Sequence, residues 1–109
     1  MYLDAAGEFL VAEVDGEVVG IGAIRYDSDD CAEVKRIRVD PGFRRRGIAD
    51  ELIRALEERA RALGYRRLVL DTAADALPAQ RLFEKHGFRR TGKTVLGGID
   101  ALLYEKVLA

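Results

Sequence analysis

Alternating apolar and polar positions predict strands in the first forty residues. Residues 9–14 and 18–25 are apolar-rich runs, and the short segment between them contains the Asp-Gly pair typical of a β-hairpin turn. Residues 32–39 alternate as well, but the alternation slips once, because Val34 and Ile37 lie three positions apart. A β-bulge in the middle of a strand produces a slip of this kind.

A helical period replaces the alternation over residues 47–63, where apolar side chains recur every three or four positions and fall on one face. Gly64 is a typical C-terminal stop for such a helix. Acid–base pairs spaced four residues apart are predicted to form ion pairs on its solvent side. These pairs are Asp50 with Arg54 and Glu57 with Arg61.

Another strand, a second helix and two closing strands are predicted downstream. Residues 66–71 contain a short continuous apolar run typical of a buried parallel strand. Asp75 can cap the helix that follows, and Gly87 ends it. Residues 88–91 and 101–108 are predicted to be two strands joined by a longer loop.

The predicted order of elements is β-β-β-α-β-α-β-β, which defines an α/β fold with one mixed sheet. The first three strands form an antiparallel meander. The third strand joins the fourth through a right-handed helical crossover, and both helices pack against the sheet. The chain has 109 residues and no internal repeat, so we expect a single domain over residues 1–109.

Composition narrows the classes of partner. Hydrophobic residues make up 49% of the chain and charged residues 34%, which is typical of globular proteins. No apolar run approaches the roughly 20 residues of a membrane-spanning helix, so no membrane association is expected. A net charge of −1 and the absence of tryptophan argue against a nucleic-acid surface. The single cysteine, Cys31, suits a reducing compartment, and we expect a cytoplasmic protein.

Residues 39–49 combine a strand end, a basic loop and the first turn of a helix. Backbone N–H groups at a helix start have no intrahelical partner and together carry about half a positive charge, so they stabilise an anion. Gly47 and Ala49 present little side chain, which lets a bulky diphosphate approach the backbone. The alternative is that the three arginines at 44–46 are a solvated charge run before an ordinary helix. Neither a G-x-G-x-x-G loop nor a Walker loop is present.

The spacing Arg44-x-x-Gly47-x-Ala49 resembles the R/Q-x-x-G-x-G/A signature of the GNAT acyl-CoA N-acyltransferases. Downstream, the run Leu-Phe-Glu-Lys-His-Gly-Phe at 82–88 is similar to the L-Y-E-K-x-G-F ending of that family. The bulged strand precedes both blocks, as it does in the family. From about Phe9 onward the chain therefore resembles a GNAT domain. The resemblance implies the GNAT fold and acetyl-CoA as cosubstrate, with no metal.

The resemblance also implies which residues bind acetyl-CoA. The turn at the helix start would grip the pyrophosphate. Backbone groups beside the bulge would bond the pantetheine arm and polarise the thioester carbonyl. One position in the turn before the second helix and one on that helix would complete the site. The implied cofactor-binding residues are Ile37, Arg38, Val39, Arg44, Arg45, Arg46, Gly47, Ile48, Ala49, Ala76 and Phe83.

Acyl transfer needs a base for the proton of the amine and an acid for the departing thiolate. Glu33 precedes the bulge, where some family members carry a catalytic glutamate, and it is the candidate base, acting through a water. The alternative is a strand glutamate paired with Arg or Lys. Phe83 occupies the position of the tyrosine that usually acts as the general acid in this family, but the phenylalanine side chain cannot donate a proton. Water would then act as the acid, and Phe83 would be an apolar wall beside the sulfur.

Three further residues complete the sequence-based view of the site. Ala76 stands where the family usually has asparagine. Cys31 and His86 are expected to be bystanders, because a nucleophilic thiol needs a nearby histidine and His86 is expected to be packed near the end of the second helix.

Family domains normally begin with a strand and two helices that wall the acceptor side, whereas only residues 1–8 precede the first predicted hairpin. We therefore expect the domain to be N-terminally short and to lack these elements. It would be either a minimal version of the fold or one whose missing wall another chain supplies. An unpaired strand edge beside exposed apolar surface favours association, so a homo-oligomer, dimeric or larger, is expected.

The leading interpretation is an enzyme that transfers an acetyl group from acetyl-CoA to a primary amine acceptor, whose identity the sequence leaves open. One alternative is a non-catalytic acyl-CoA-binding or sensing module, which the missing tyrosine favours. Another is a fragment of the fold that a partner chain completes.

Overall fold

The computed structural model describes residues 2–6 and 9–108, with side chains from Phe9 onward. The strands are β1 (Tyr2–Ala6), β2 (Phe9–Val14), β3 (Glu17–Ser28), β4 (Cys31–Val39), β5 (Arg67–Ala73), β6 (Arg89–Leu96) and β7 (Ile99–Val107). The helices are a short 3-10 turn (Pro41–Phe43), α1 (Ile48–Ala62) and α2 (Leu77–Lys85). Within the described residues the strands form one sheet in the order β1-β2-β3-β4-β5-β7-β6. The sheet is antiparallel except for the pair β4–β5, so the predicted α/β fold with a mixed sheet is confirmed.

One strand precedes those that the sequence pattern predicts. β1 pairs antiparallel with β2 along its whole length, from Tyr2 opposite Glu13 to Ala6 opposite Phe9. The expectation that the family's first strand is absent was therefore wrong, and the outer edge of β2 is paired. Two residues separate β1 from β2, which is too short a connection for the two helices that the family has between these strands.

The second helix and the last two strands differ in detail from their predicted form. α2 has Ala76 at its N-cap and no side-chain cap, because the turn before it is closed by backbone bonds such as Leu77 N–H to the carbonyl of Asp75. The prediction that the side chain of Asp75 caps α2 was wrong. β6 extends to Leu96 and β7 begins at Ile99, so the two strands form a long hairpin with a two-glycine turn in place of the predicted loop.

The predicted bulge in β4 is present, and it separates β4 from its parallel neighbour. The register between β3 and β4 shifts between Ile21 and Ala23, and Arg36 lies in the left-handed region at φ 60°. β4 pairs with β5 only from Cys31 to Glu33. Beyond Glu33 the two strands diverge, and a V-shaped gap opens between them within the described part of the sheet.

Both helices lie on the same face of the sheet. On β7, Tyr104 donates a hydrogen bond to Glu84 of α2 at 2.7 Å, and Lys106 donates one to Glu57 of α1, also at 2.7 Å. Residues two apart on a strand point to the same face, so the two helices share it. α1 packs closely because Gly20 and Gly22 of β3 lie beneath it. A Cβ atom on Gly22 would lie 2.8 Å from Cδ1 of Ile37 and 3.1 Å from Cδ1 of Leu56.

One of the two predicted ion pairs on α1 does not form. Arg54 pairs with Glu51 at 2.7 Å, while Asp50 is bonded to the end of α2. The prediction was wrong because Asp50 faces another helix and not solvent. Glu57 does pair with Arg61, at 3.9 Å, but the carboxylate is buried and its shorter bond is to Lys106.

Candidate active site

An open cleft of about 1060 Å³ lies where β4 separates from β5, between the start of α1 and the start of α2. It brings together three segments of the chain: residues 18–21 of β3, residues from β4 through the start of α1 (37–50), and residues 76–82 at the start of α2. Nine of the residues predicted to bind the cofactor line it: Ile37, Arg38, Val39, Arg44, Arg45, Gly47, Ile48, Ala49 and Ala76.

The first turn of α1 presents unpaired backbone donors to this cleft. Gly47 is the N-cap at φ 78°, and no side chain of the described residues caps the helix. Glu51 N–H, bonded to the carbonyl of Gly47 at 3.1 Å, is the first intrahelical donor. The N–H groups of Ile48, Ala49 and Asp50 come before it and are therefore available to an anion in the cleft.

The arginines of the preceding loop differ in their surroundings. Arg44 and Arg45 are exposed cleft residues, and neither forms an ion pair with any residue that the structure describes. Arg46 turns away, and its guanidinium lies over the ring of Phe43, 4.9 Å from the centroid. Arg46 is not part of the cleft lining. Two uncompensated cations therefore flank the open start of α1.

The bulged half of β4 forms one wall of the cleft. Ile37, Arg38 and Val39 lie beyond the last residue that pairs with β5, so their backbone groups on that side have no strand partner in the described sheet. This is the arrangement that the sequence predicts for binding the pantetheine arm of acetyl-CoA.

The opposite wall comes from α2, and the sequence indicates only part of it. Ala76 was predicted, whereas Pro78, Ala79 and Leu82 also line the cleft. Ala79 and Leu82 share the apolar face of α2, but a helical period shows only that a face is buried and not that it borders a ligand site. Small side chains at Ala76 and Ala79 help to keep the cleft open.

Phe83 packs in the core and does not line the cleft. Its ring is 7% exposed and meets Phe88 edge to face, with ring centroids 5.6 Å apart. It also lies 6.5 Å from the ring of Tyr104. Among the described residues, no tyrosine, histidine or cysteine lines the cleft, so this surface carries no obvious side-chain acid.

Glu33 lies at the vertex of the gap, as the last residue of β4 that pairs with β5. Its carboxylate accepts a hydrogen bond from Nε of Arg25 at 3.1 Å, and Nζ of Lys35 lies 3.7 Å from the same oxygen. The ion pairing expected of an ordinary strand glutamate is thus present. The position at the vertex is also the one that a base would need, and the catalytic role of Glu33 stays a prediction.

A polar cluster joins the start of α1 to the end of α2 beside the cleft. Oδ1 of Asp50 lies 2.9 Å from Nζ of Lys85 and 2.7 Å from Nε2 of His86. These two partners hold the pKa of the Asp50 carboxyl below its ordinary value, with the bond to Lys85 the larger cause. His86 is thus packed at the end of α2, as the sequence predicts.

Cys31 is fully buried, and burial raises the pKa of its thiol. Its thiol is therefore protonated and unreactive near neutral pH. Within the part of the chain that the structure describes, no group of three or more His, Cys, Asp or Glu side chains could hold a metal ion. None of the described helices is long and apolar enough to cross a membrane.

Comparison with known proteins identifies the family. The model of the acetyltransferase (GNAT) family matches residues 1–88, so the chain belongs to this family and the resemblance seen in the sequence is confirmed.

Relatives and solved structures agree with this assignment. The chain is 42% identical over 95 residues to the N-acetylaspartate synthetase of Danio rerio, covering 85% of this chain and 34% of that protein. It is 40% identical over 95 residues to the IAA acetyltransferase of Azospirillum brasilense, covering 86% of this chain and 62% of that protein. The crystal structure of Ard1 from Thermoplasma volcanium superposes with a TM-score of 0.88 at 26% identity, covering 94% of this chain and 71% of the other. The chain spans about a third of the length of the N-acetylaspartate synthetases that it matches.

Proposed function

We propose that this protein is an N-acetyltransferase that moves the acetyl group of acetyl-CoA to a primary amine. The observation that carries the proposal is the cleft itself. It places the uncapped start of α1, with Arg44 and Arg45, beside β4 backbone groups that the bulge has separated from β5. Membership of the acetyltransferase (GNAT) family supports the same activity.

The residues of the cleft fit acetyl-CoA by their chemistry. The N–H groups at the start of α1 and the guanidinium groups of Arg44 and Arg45 would hold the diphosphate, since both favour negative charge. Backbone groups of Ile37 and Val39 would bond the pantetheine arm. When bound there, acetyl-CoA supplies an activated acetyl thioester. Arg46 and Phe83 were also predicted to bind the cofactor but lie outside the lining: Arg46 packs over Phe43, a lining residue, and Phe83 packs in the core.

Glu33 is the proposed base, and it would take the proton of the amine through a water. Arg25 keeps the carboxylate in place at the vertex of the gap. A thiol is a far stronger acid than an alcohol, with a pKa of about 8.5 for the cysteine side chain, so a thiolate is a tolerable leaving group and water can protonate it without a tyrosine. The names of two groups of relatives, N-acetylaspartate synthetase and N-acetyltransferase 8, support an amine acceptor.

The test is acetyl-CoA-dependent release of free thiol in the presence of a panel of amines, run beside a thermal titration with acetyl-CoA. A transferase raises its melting temperature with acetyl-CoA, because the ligand binds only the folded state, and it also turns over. Arg44→Ala should weaken the response, most clearly at low salt, where charge contacts are least screened. A matched control is Arg66→Gln, an exposed arginine outside the cleft.

A non-catalytic acyl-CoA-binding or sensing module is the second candidate, and the lack of a tyrosine in the described cleft lining favours it. Such a module would show the rise in melting temperature without thiol release. If the chain is one part of an assembly that a partner completes, thiol release would appear only when the partner is added.

A further inference from the structure

The face of the sheet opposite the helices carries two charged side chains on either side of the gap between β4 and β5. On β5, Leu70 is paired with Tyr104, whose hydroxyl reaches α2, so the next residue, Asp71, points to the opposite face. Val69 directly precedes Leu70 on β5, so it also points away from the helices, and Glu33 of β4 is paired with it. Lys35 lies two residues after Glu33 on β4 and reaches its carboxylate, so it shares this face.

Lys35 and Asp71 hold corresponding positions on the two strands. Glu33 is paired with Val69, and two residues further along each strand come Lys35 and Asp71. The strands have already diverged there, so this pair does not form. The gap therefore opens between a cation on β4 and a carboxylate on β5.

Both charges are available to a ligand. The side chain of Asp71 is exposed and makes no hydrogen bond or ion pair with any residue that the structure describes. Lys35 has one loose contact, 3.7 Å to Glu33, and Glu33 keeps its shorter bond from Arg25 when Lys35 turns elsewhere. Lys35 and Asp71 do not form an ion pair with each other.

We infer that the amine acceptor is a free α-amino acid, whose ammonium group is held by Asp71 and whose carboxylate is held by Lys35. The inference rests on the acetyl transfer proposed above, and it assigns the acceptor side to the helix-free mouth of the gap. An α-amino acid carries an ammonium group and a carboxylate on the same carbon, so one molecule can pair with a carboxylate on one strand and an ammonium group on the other where the two strands separate. A peptide N-terminus or a polyamine has no such carboxylate and would leave Lys35 unpaired.

Arg38 adds to the positive charge on the β4 side. It is paired with Ile21 and exposed, and it forms no ion pair with a described residue. Glu33, at the vertex, is the carboxylate that Lys35 contacts on this face of β4. The charges that face the acceptor from β4 are thus Glu33, Lys35 and Arg38, and from β5 the charge is Asp71.

The first experiment compares acceptors that differ only in the carboxylate. Thiol release from acetyl-CoA is measured with several free amino acids, with the amide of each and with the amine that lacks the α-carboxylate, such as phenylalanine, phenylalaninamide and phenethylamine. After correction for the fraction of neutral amine, kcat/KM for the free acids should be higher by about tenfold or more, as expected for a hydrogen bond to a charged group. Equal values, or a preference for the amides, would overturn the inference.

The second experiment separates binding of the acceptor from a general structural effect. Lys35→Gln should remove the preference for free acids while changing kcat/KM for phenethylamine by less than threefold. Asp71→Asn should raise KM for acids and amines about tenfold or more, with kcat and acetyl-CoA affinity little changed. The control variants Glu58→Gln and Arg66→Gln each change an exposed charge elsewhere. They should leave kcat, KM for the acceptor and the affinity for acetyl-CoA unchanged.

The melting temperature of each variant shows whether it is folded. Asp71→Ser is a second substitution at the same position, and it should raise KM for the acceptor by as much as Asp71→Asn does. An unchanged KM in Asp71→Asn, or a preference that survives Lys35→Gln, would overturn the inference while leaving acetyl transfer intact. Absence of thiol release with every member of the panel would overturn the acetyl transfer as well. The failure of the acceptor assignment and the failure of the proposed function are thus distinguishable.

Discussion

Gly47 sets the conformation at the entrance of the cleft. Its φ of 78° lies in the left-handed region, which side chains other than Gly, Asn and Asp rarely adopt. A Cβ atom built on Gly47 would have no heavy atom of its surroundings within 4 Å. The glycine is thus favoured by the backbone conformation, and not by packing against the rest of the chain.

A charged side chain at Gly47 should therefore block the ligand without crowding the protein. Gly47→Glu is expected to abolish the rise in melting temperature caused by acetyl-CoA, since a carboxylate would occupy the place proposed for the diphosphate. The backbone strain alone costs about 1–2 kcal/mol. Gly47→Asn is the control, because asparagine tolerates the same φ without a charge. A thermal response of Gly47→Glu equal to that of the parent would show that the phosphate group binds elsewhere.

The two interpretations of Glu33, as the catalytic base or as an ion-pair partner only, predict different kinetics. If it is the base, Glu33→Gln should lower kcat about 100-fold near neutral pH and leave acetyl-CoA affinity nearly unchanged. Higher pH should partly restore the rate, because more of the acceptor is then already neutral. Arg25→Gln, which removes the hydrogen-bond partner of the carboxylate, gives a smaller loss. Unchanged turnover in Glu33→Gln would leave only the ion-pair role.

Elements with a strong local pattern were predictable, and those that depend on distant contacts were not. The slip in alternation predicts the bulge of β4, and the helical period predicts α1, because both patterns lie within one segment. β6 is largely exposed, so its polar residues show no alternation and the sequence predicts only its first part. β1 is a five-residue strand whose existence depends on pairing with β2.

The close approach of α1 to β3 depends on a glycine that no helix or strand pattern indicates. Gly22→Ala would place a Cβ 2.8 Å from Ile37, a residue of the cleft wall. We expect a loss of about 1–2 kcal/mol of unfolding free energy and weaker acetyl-CoA binding. Gly92→Ala in β6, where the new Cβ would be 3.9 Å from Leu103, is the matched control and should be close to neutral. Denaturant unfolding of both variants checks this, and equal losses would contradict it.

The bond between α1 and α2 through Asp50 gives stability a defined pH dependence. The pKa of Asp50 is lower in the folded than in the unfolded protein, so the carboxylate stabilises the fold above its ordinary pKa of about 4. That stabilisation is lost as the pH falls through the lowered value. Asp50→Asn should cost about 1 kcal/mol at pH 7 and flatten the acid side of the stability curve. Unfolding measured from pH 7 to pH 2 tests this, and parallel curves for variant and parent would contradict it.

At the scale of the whole molecule, the two faces of the sheet differ. One face is covered by α1 and α2, and the other carries only side chains of the strands among the described residues. Most of the residues that the sequence predicts for the cofactor belong to one motif, and nine of them line the cleft. The sequence did not indicate Lys35 and Asp71, because only the register between β4 and β5 brings them to the same level.

The helix-free face is also where association is expected. Phe9, Val11 and Ile21 lie side by side there, and each is half-buried in the single chain. Since β1 already pairs with β2, a second copy would bind through this apolar face and not through the edge of β2. We expect a dimer or larger species in sedimentation at micromolar concentration. Val11→Lys should dissociate it, because burying an unpaired charge is costly. Leu63→Lys, at the end of α1, should not. A monodisperse monomer of the parent over the whole concentration range would rule out the association.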